Sequence, residues 1–163
     1  MSKSIVVYFS ASKAGNTQRL AETIAKATGA DLFAIEPVTP YTQEDLDWTI
    51  PGCRSVEEMR QPGCRPPIKN VGPDLAEVET VYLGFPIWCW IAPTIVNTWL
   101  EAVDLTGKTV IPFATSGGSA YRKSNDSLVA SAPGATFRPG RVLPPDAGEE
   151  QIQEWLSSLA ETL

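Results

Sequence analysis

Ser4-Ile5-Val6-Val7-Tyr8-Phe9-Ser10-Ala11-Ser12-Lys13-Ala14-Gly15-Asn16-Thr17 is the stretch on which the fold turns. Its first six residues form a continuous apolar, β-branched run. Such a run marks a strand covered on both faces, as in a parallel sheet. Small and hydroxyl-bearing residues follow, and then a helical pattern begins. Asn16 to Thr28 places Leu20, Ala21, Ile24 and Ala25 on one apolar face, and Gly29 stands where a helix ends. A covered strand, a tight turn and an amphipathic helix make the opening unit of an α/β domain.

Working outward, the same alternation recurs. Asp31–Glu36, Thr80–Phe85 and Thr109–Ala114 read as strands. Pro93 reads as the first residue of a helix with Ile95, Val96, Trp99, Leu100 and Val103 on its buried stripe. Ser119–Ala132 is a weaker helix, closed by Pro133-Gly134. Thr136–Leu143 is a fifth strand interrupted by Pro139-Gly140, which predicts an edge position. Glu149–Leu163 closes the chain as a helix with Ile152, Trp155, Leu156, Leu159 and Leu163 on one side. This order predicts one α/β domain, a five-stranded open parallel sheet with helices on both faces.

The interval from Val38 to Ala76 breaks the rhythm. It holds six of the fourteen prolines. Two short helices fit, near Gln43–Trp48 and Ser55–Arg60, and the rest reads as irregular surface. An insertion of that length in a compact domain is usually functional or mobile.

Composition narrows the function. The 163 residues are 43% hydrophobic and 20% charged, ordinary for a globular chain. Net charge is −6, which disfavours nucleic acid and other polyanions and suits a basic partner. Histidine is absent, so Ser-His-Asp triads, Cys-His dyads and His-bound metals are excluded. Cys53, Cys64 and Cys89 have no Cys-x-x-Cys spacing and read as reduced thiols. No apolar run approaches the roughly 20 residues of a membrane helix. The apolar start, Met1 to Phe9, is too short for a signal peptide. A cytoplasmic protein with no membrane contact is expected.

In open parallel sheets ligands bind beyond the carboxyl ends of the strands. After the first strand, Ser10, Ala11, Ser12, Gly15, Asn16 and Thr17 combine hydroxyls with a helix start, whose N–H groups and dipole favour an anion. The plainer reading is an N-cap among ordinary turn residues. After the third, Pro86, Ile87, Trp88, Cys89 and Trp90 bring two indoles to a loop. One suits stacking on a flat ligand; packing under the next helix is the alternative. After the fourth, Thr115, Ser116, Gly117 and Gly118 let backbone approach a heterocycle closely. In a 2-1-3-4-5 strand order these three loops are neighbours.

The sequence resembles the flavodoxin-like proteins, in particular short bacterial flavodoxin-type chains. The resemblance rests on Tyr8-Phe9-Ser10 with Gly15-Asn16-Thr17, Ile35 to Tyr41, Gly84 to Trp88, and Ile111 to Ser119. It implies a flavodoxin fold, a three-layer sandwich with sheet order 2-1-3-4-5, binding flavin mononucleotide (FMN) without a covalent bond. By that resemblance Ser10, Ala11, Ser12, Gly15, Asn16 and Thr17 hold the phosphate. Pro86 to Trp90 flank the flavin ring and Thr115 to Gly118 line its other edge. Lys13-Ala14 stand as a two-residue insertion against the family pattern, expected to bulge with Lys13 toward solvent or the phosphate.

Other users of this topology fail on chemistry. Gly15-Asn16-Thr17 lacks the P-loop lysine, and no Gly-x-Gly-x-x-Gly occurs. Receiver domains need aspartates where Phe9-Ser10 and Phe85-Pro86 stand. A Cys-x5-Arg phosphatase loop is absent: six residues after Cys53 comes Met59. Cys89 beside the flavin wall reads as a small apolar filler rather than a redox thiol. Three functions stay open: an electron carrier between protein partners, with a basic reductase or acceptor as its redox partner; an NAD(P)H-dependent reductase of flavin, quinone or another small acceptor; and a non-redox interaction module keeping the fold.

Overall fold

The computed structural model describes residues 3–11, 15–88, 91–116 and 125–161. In chain order these form β1 (Lys3–Tyr8), α1 (Asn16–Thr28), β2 (Asp31–Ala34), α2 (Gln43–Leu46), α3 (Arg54–Met59), β3 (Val78–Pro86), α4 (Thr94–Ala102), β4 (Thr109–Thr115), α5 (Asp126–Val129), β5 (Thr136–Phe137), β6 (Arg141–Val142) and α6 (Glu149–Glu161). The sheet runs β2-β1-β3-β4-β5, and every pair is parallel.

Strand alternation sorts the core into two layers. Ile5, Val7 and Phe9 face one way and pack with Ile95, Val96, Trp99 and Leu100 of α4. Val6 and Tyr8 face the other way, toward Leu20, Ala21 and Ile24 of α1 and Ile152, Trp155 and Leu159 of α6. The sheet is thus covered on both faces, which is why β1, β3 and β4 read as near-continuous apolar runs. The ring of Phe113 on β4 lies over its register partner Gly84 on β3, where a glycine leaves it room. A Cβ on Gly84 would stand 2.2 Å from the Phe113 ring, which itself packs edge-on to Trp155 at 6.3 Å.

Three expectations change. The fifth strand is two short strands, so the sheet has six rather than five. β5 and β6 both pair with β4 on either side of Pro139-Gly140. Proline has no N–H to offer a rung, and the ladder breaks there. Pro93 caps α4 from outside (φ −57°, ψ 143°) instead of occupying its first turn. The helix expected over Ser119–Ala132 is, within the described residues, only Asp126–Val129, and 119–124 lie outside them.

The 38–76 interval is bound to the body of the fold. Pro37 bridges Ile68 antiparallel, Val38 N donates to Pro67 O at 3.0 Å, and Lys69 N donates to Glu36 O at 2.8 Å. Trp99 Nε1 donates to Val71 O at 3.0 Å, which satisfies a fully buried indole. Cys53, Ser55 and Leu75 are buried. Among the described residues no helix is long and apolar enough to cross a membrane.

Candidate functional site

α1 starts without a side-chain cap. Gly15 takes the left-handed conformation (φ 66°) that lets the chain turn sharply from the β1 loop into the helix. The first intrahelical bond is Arg19 N to Gly15 O, at 2.9 Å. The N–H groups before it have no partner within the helix, and the helix dipole adds positive character at that end. Asn16 stands at this point. Its Oδ1 accepts from Arg19 Nη2 at 2.7 Å, so its amide N–H groups are the ones left to donate.

Thr17 and Thr115 are buried and meet across the sheet rim, Oγ1 to Oγ1 at 2.7 Å. Two hydroxyls carry two protons, and their mutual bond uses one. The pair therefore keeps one O–H for a further acceptor. β3 and β4 stay in register to their ends: Pro86 sits opposite Thr115, and Ile87 N donates to Thr115 O at 2.9 Å. Trp88 then exchanges backbone bonds with Ile91, at 2.9 and 3.1 Å.

These residues line one cleft of about 240 Å³. Ala11, Asn16 and Thr17 come from the first loop and helix, Pro86, Ile87 and Trp88 from the β3 end, and Thr115 and Ser116 from the β4 end. The cleft lies at the carboxyl rim of β1, β3 and β4. It is smaller than the roughly 300–1,000 Å³ of a typical small-molecule site, so a nucleotide would extend past its mouth. Hydroxyls and N–H groups occupy one end, with apolar and aromatic surface at the other. That division suits a ligand with an anionic tail and a flat ring.

The chain belongs to the flavodoxin family. The family's profile matches residues 3–159. The chain is 43% identical to a provisionally assigned flavoprotein from Bacteroides eggerthii, over 98% of this chain and 99% of that one, with a TM-score of 0.91. More distant structures share the fold. One is a flavoprotein in complex with FMN from Lactobacillus acidophilus, at 19% identity, TM-score 0.70 and coverage of 96% and 99%. Another is an apo NADH:FMN oxidoreductase, at 16% identity, TM-score 0.59 and coverage of 99% and 88%. No curated protein matches the chain significantly.

Of the family-pattern residues, Ser10 lines a neighbouring cavity between the β1 and β2 ends, and Ala11 borders both spaces. Gly15 shapes the helix start. Ser12, Cys89, Trp90, Gly117 and Gly118 lie outside the described residues, as do Lys13 and Ala14. Trp88 is half-buried. It lines the cleft, and it packs edge-on against Phe9 (5.7 Å) and Tyr41 (5.3 Å).

Leu46 and Pro145 also line the cleft and were invisible in the sequence. Leu46 sits in the short helix expected near Gln43–Trp48, and Pro145 in a stretch that reads as a plain connection. Tyr41 stands behind the cleft rather than in its lining, packed on Trp88. Its ring lies under the Arg54 guanidinium (3.9 Å), and its hydroxyl donates to Glu58 Oε1 at 2.5 Å. Arg54 Nε in turn donates to Glu58 Oε2 at 3.0 Å. Burial first, then the Glu58 bond, push the Tyr41 phenol far above its ordinary pKa, so it stays a donor. The insertion thereby fixes the aromatic wall behind Trp88.

Proposed function

We propose that this chain binds FMN in the cleft and carries electrons between protein partners. The observation behind the reading is the joining of an uncapped helix start, the Thr17–Thr115 hydroxyl pair and the Trp88 wall in one cleft. A phosphomonoester carries about −1.5 to −2 charges near neutral pH. The N–H groups at the start of α1, the Asn16 amide and the spare Thr17–Thr115 proton offer neutral donors to it. Trp88, Pro86 and Ile87 offer the ring a flat apolar face. Bound FMN supplies one- and two-electron chemistry, and the protein supplies position and surroundings.

The mouth of the cleft supports a carrier. Leu46 is flanked by Glu44, Asp45 and Asp47, and Pro145 by Asp146, Glu149 and Glu150. Trp48, two residues beyond Leu46, is 78% exposed. An apolar centre among carboxylates suits a basic protein partner. A second reading, direct oxidation of NADH, draws support from the likeness in fold to an NADH:FMN oxidoreductase. The two separate in one experiment. Purified protein should show a bound-flavin absorption spectrum. It should oxidise NADH or NADPH slowly alone and rapidly once a flavoprotein reductase is added. Rapid oxidation without a reductase would favour the second reading, and absence of flavin binding would sink both.

A further inference from the structure

A second cavity, of about 320 Å³, lies on the other side of the β1 loop, at the carboxyl ends of β1 and β2. Among the described residues, it and the cleft share only Ala11. Three of its polar lining residues have no side-chain partner among the described residues. Tyr8 is 7% exposed, yet its hydroxyl makes no hydrogen bond to any described residue. The side chains of Ser10 and Gln18, which also line the cavity, have no such bond either. The Tyr8 ring is buried while its hydroxyl opens on the cavity, where it can donate to water or to a ligand.

The remaining walls define what could. Ile35, Pro37, Pro40 and the ring of Tyr41 supply flat apolar surface. The two charged residues of the lining, Glu36 and Lys69, pair with each other at 3.5 Å. Among the described residues of the lining no charge is left to neutralise an ionic ligand, and the Glu22 and Glu36 carboxylates make the surroundings of Tyr8 unfavourable to an anion. Burial and then these carboxylates raise the Tyr8 pKa, so the hydroxyl keeps its proton and donates. The available donors, the Tyr8 and Ser10 hydroxyls and the Gln18 amide, call for a ligand that accepts. Its body must be flat and apolar.

We propose that this cavity is a second ligand site, distinct from the cleft, that takes an uncharged aromatic compound bearing a carbonyl oxygen. The carbonyl accepts from Tyr8 and Gln18, and the ring lies among the prolines and Tyr41. The proposal does not depend on FMN binding in the cleft.

A matched pair of probes tests it: 2-naphthamide and its anionic isostere 2-naphthoate. Binding is followed by fluorescence anisotropy of the probe, with the protein alone and with excess FMN. Saturable binding of 2-naphthamide is expected in both conditions, with 2-naphthoate at least tenfold weaker. Tyr8→Phe should weaken 2-naphthamide about three- to tenfold, the worth of one ordinary hydrogen bond. Gln18→Ala, at an exposed position on α1, should weaken it about threefold and decides the matter if the Tyr8 variant does not fold. No saturable binding, equal affinity for the two probes, or indifference to both substitutions would overturn the proposal. Displacement by FMN would place the probe in the cleft and overturn it as well. If FMN itself fails to bind, the flavin reading falls while the probe arms still decide this one.

Discussion

Thr17 and Thr115 are 98 residues apart in sequence and 2.7 Å apart in space. Their partnership makes each more than a hydroxyl in a loop. Removing one frees the other to turn, while the N–H groups of α1 remain. Thr17→Val should therefore weaken FMN binding by about tenfold or somewhat more, the worth of a hydrogen bond to a charged group. Flavin titration monitored by fluorescence quenching measures this; unchanged affinity would place the phosphate away from the pair. The motif Gly15-Asn16-Thr17 was legible because a glycine and a capping-type residue before an apolar stripe announce a helix start. The pairing of Thr17 with Thr115 was not legible. No local pattern records which side chain from another strand will stand opposite.

At the scale of elements, side chains add to the backbone bonds that tie the insertion to the fold. Arg65 grips Glu101 of α4 with two bonds, at 2.9 and 3.0 Å, and Ser131 donates to the same carboxylate at 2.7 Å. Asn97 completes the group by donating to Ser131 at 3.0 Å. The Arg65 bonds, then the Ser131 bond, hold the Glu101 pKa below the ordinary carboxylate range. A lowered folded-state pKa contributes stability above the unfolded value and loses it as pH falls through the folded one. Since both partners are substantially exposed, solvent screening keeps the contribution under about 1 kcal/mol. Glu101→Gln should cost that little near pH 7. The gap to the native protein should close as pH falls from about 4.5 toward 3 in parallel urea titrations. A gap constant with pH would mean the charge of Glu101 is irrelevant.

The strands and long helices agreed with their periodicity within a residue or two. Asn16–Thr28 matched end to end because Gly15 and Gly29, both left-handed, punctuate it. Thr136–Leu143 did not, because the break at Pro139-Gly140 produced two pairings instead of one weakened strand. The two short helices of the insertion appeared where expected. What remained hidden was how Arg54, Tyr41 and Glu58 lock together, and how Arg65 reaches α4.

For the whole molecule, the net charge of −6 is a long-range property. Carboxylates beside Leu46 and Pro145 bring part of it to the cleft mouth. If a basic reductase docks there, its electron-transfer rate should fall steeply as ionic strength rises from about 0.01 to 0.15 M. Over that range the screening length shrinks from about 30 to 8 Å. Stopped-flow reduction across a salt series checks this, and a flat profile would show that charge does not steer the encounter.

Chain order and hydrophobic period were enough to determine a parallel α/β sheet, with a cleft expected among the loops after β1, β3 and β4. Those signals are local: a covered strand and an amphipathic helix write their burial into neighbouring residues. Only the tertiary structure decided that Leu46 and Pro145 close the cleft, that Tyr41 backs Trp88, and that Tyr8 faces a second cavity with its hydroxyl unspent. These are meetings between distant segments. They depend on where the packed sheet delivers each loop, and no period of two or 3.6 residues encodes that.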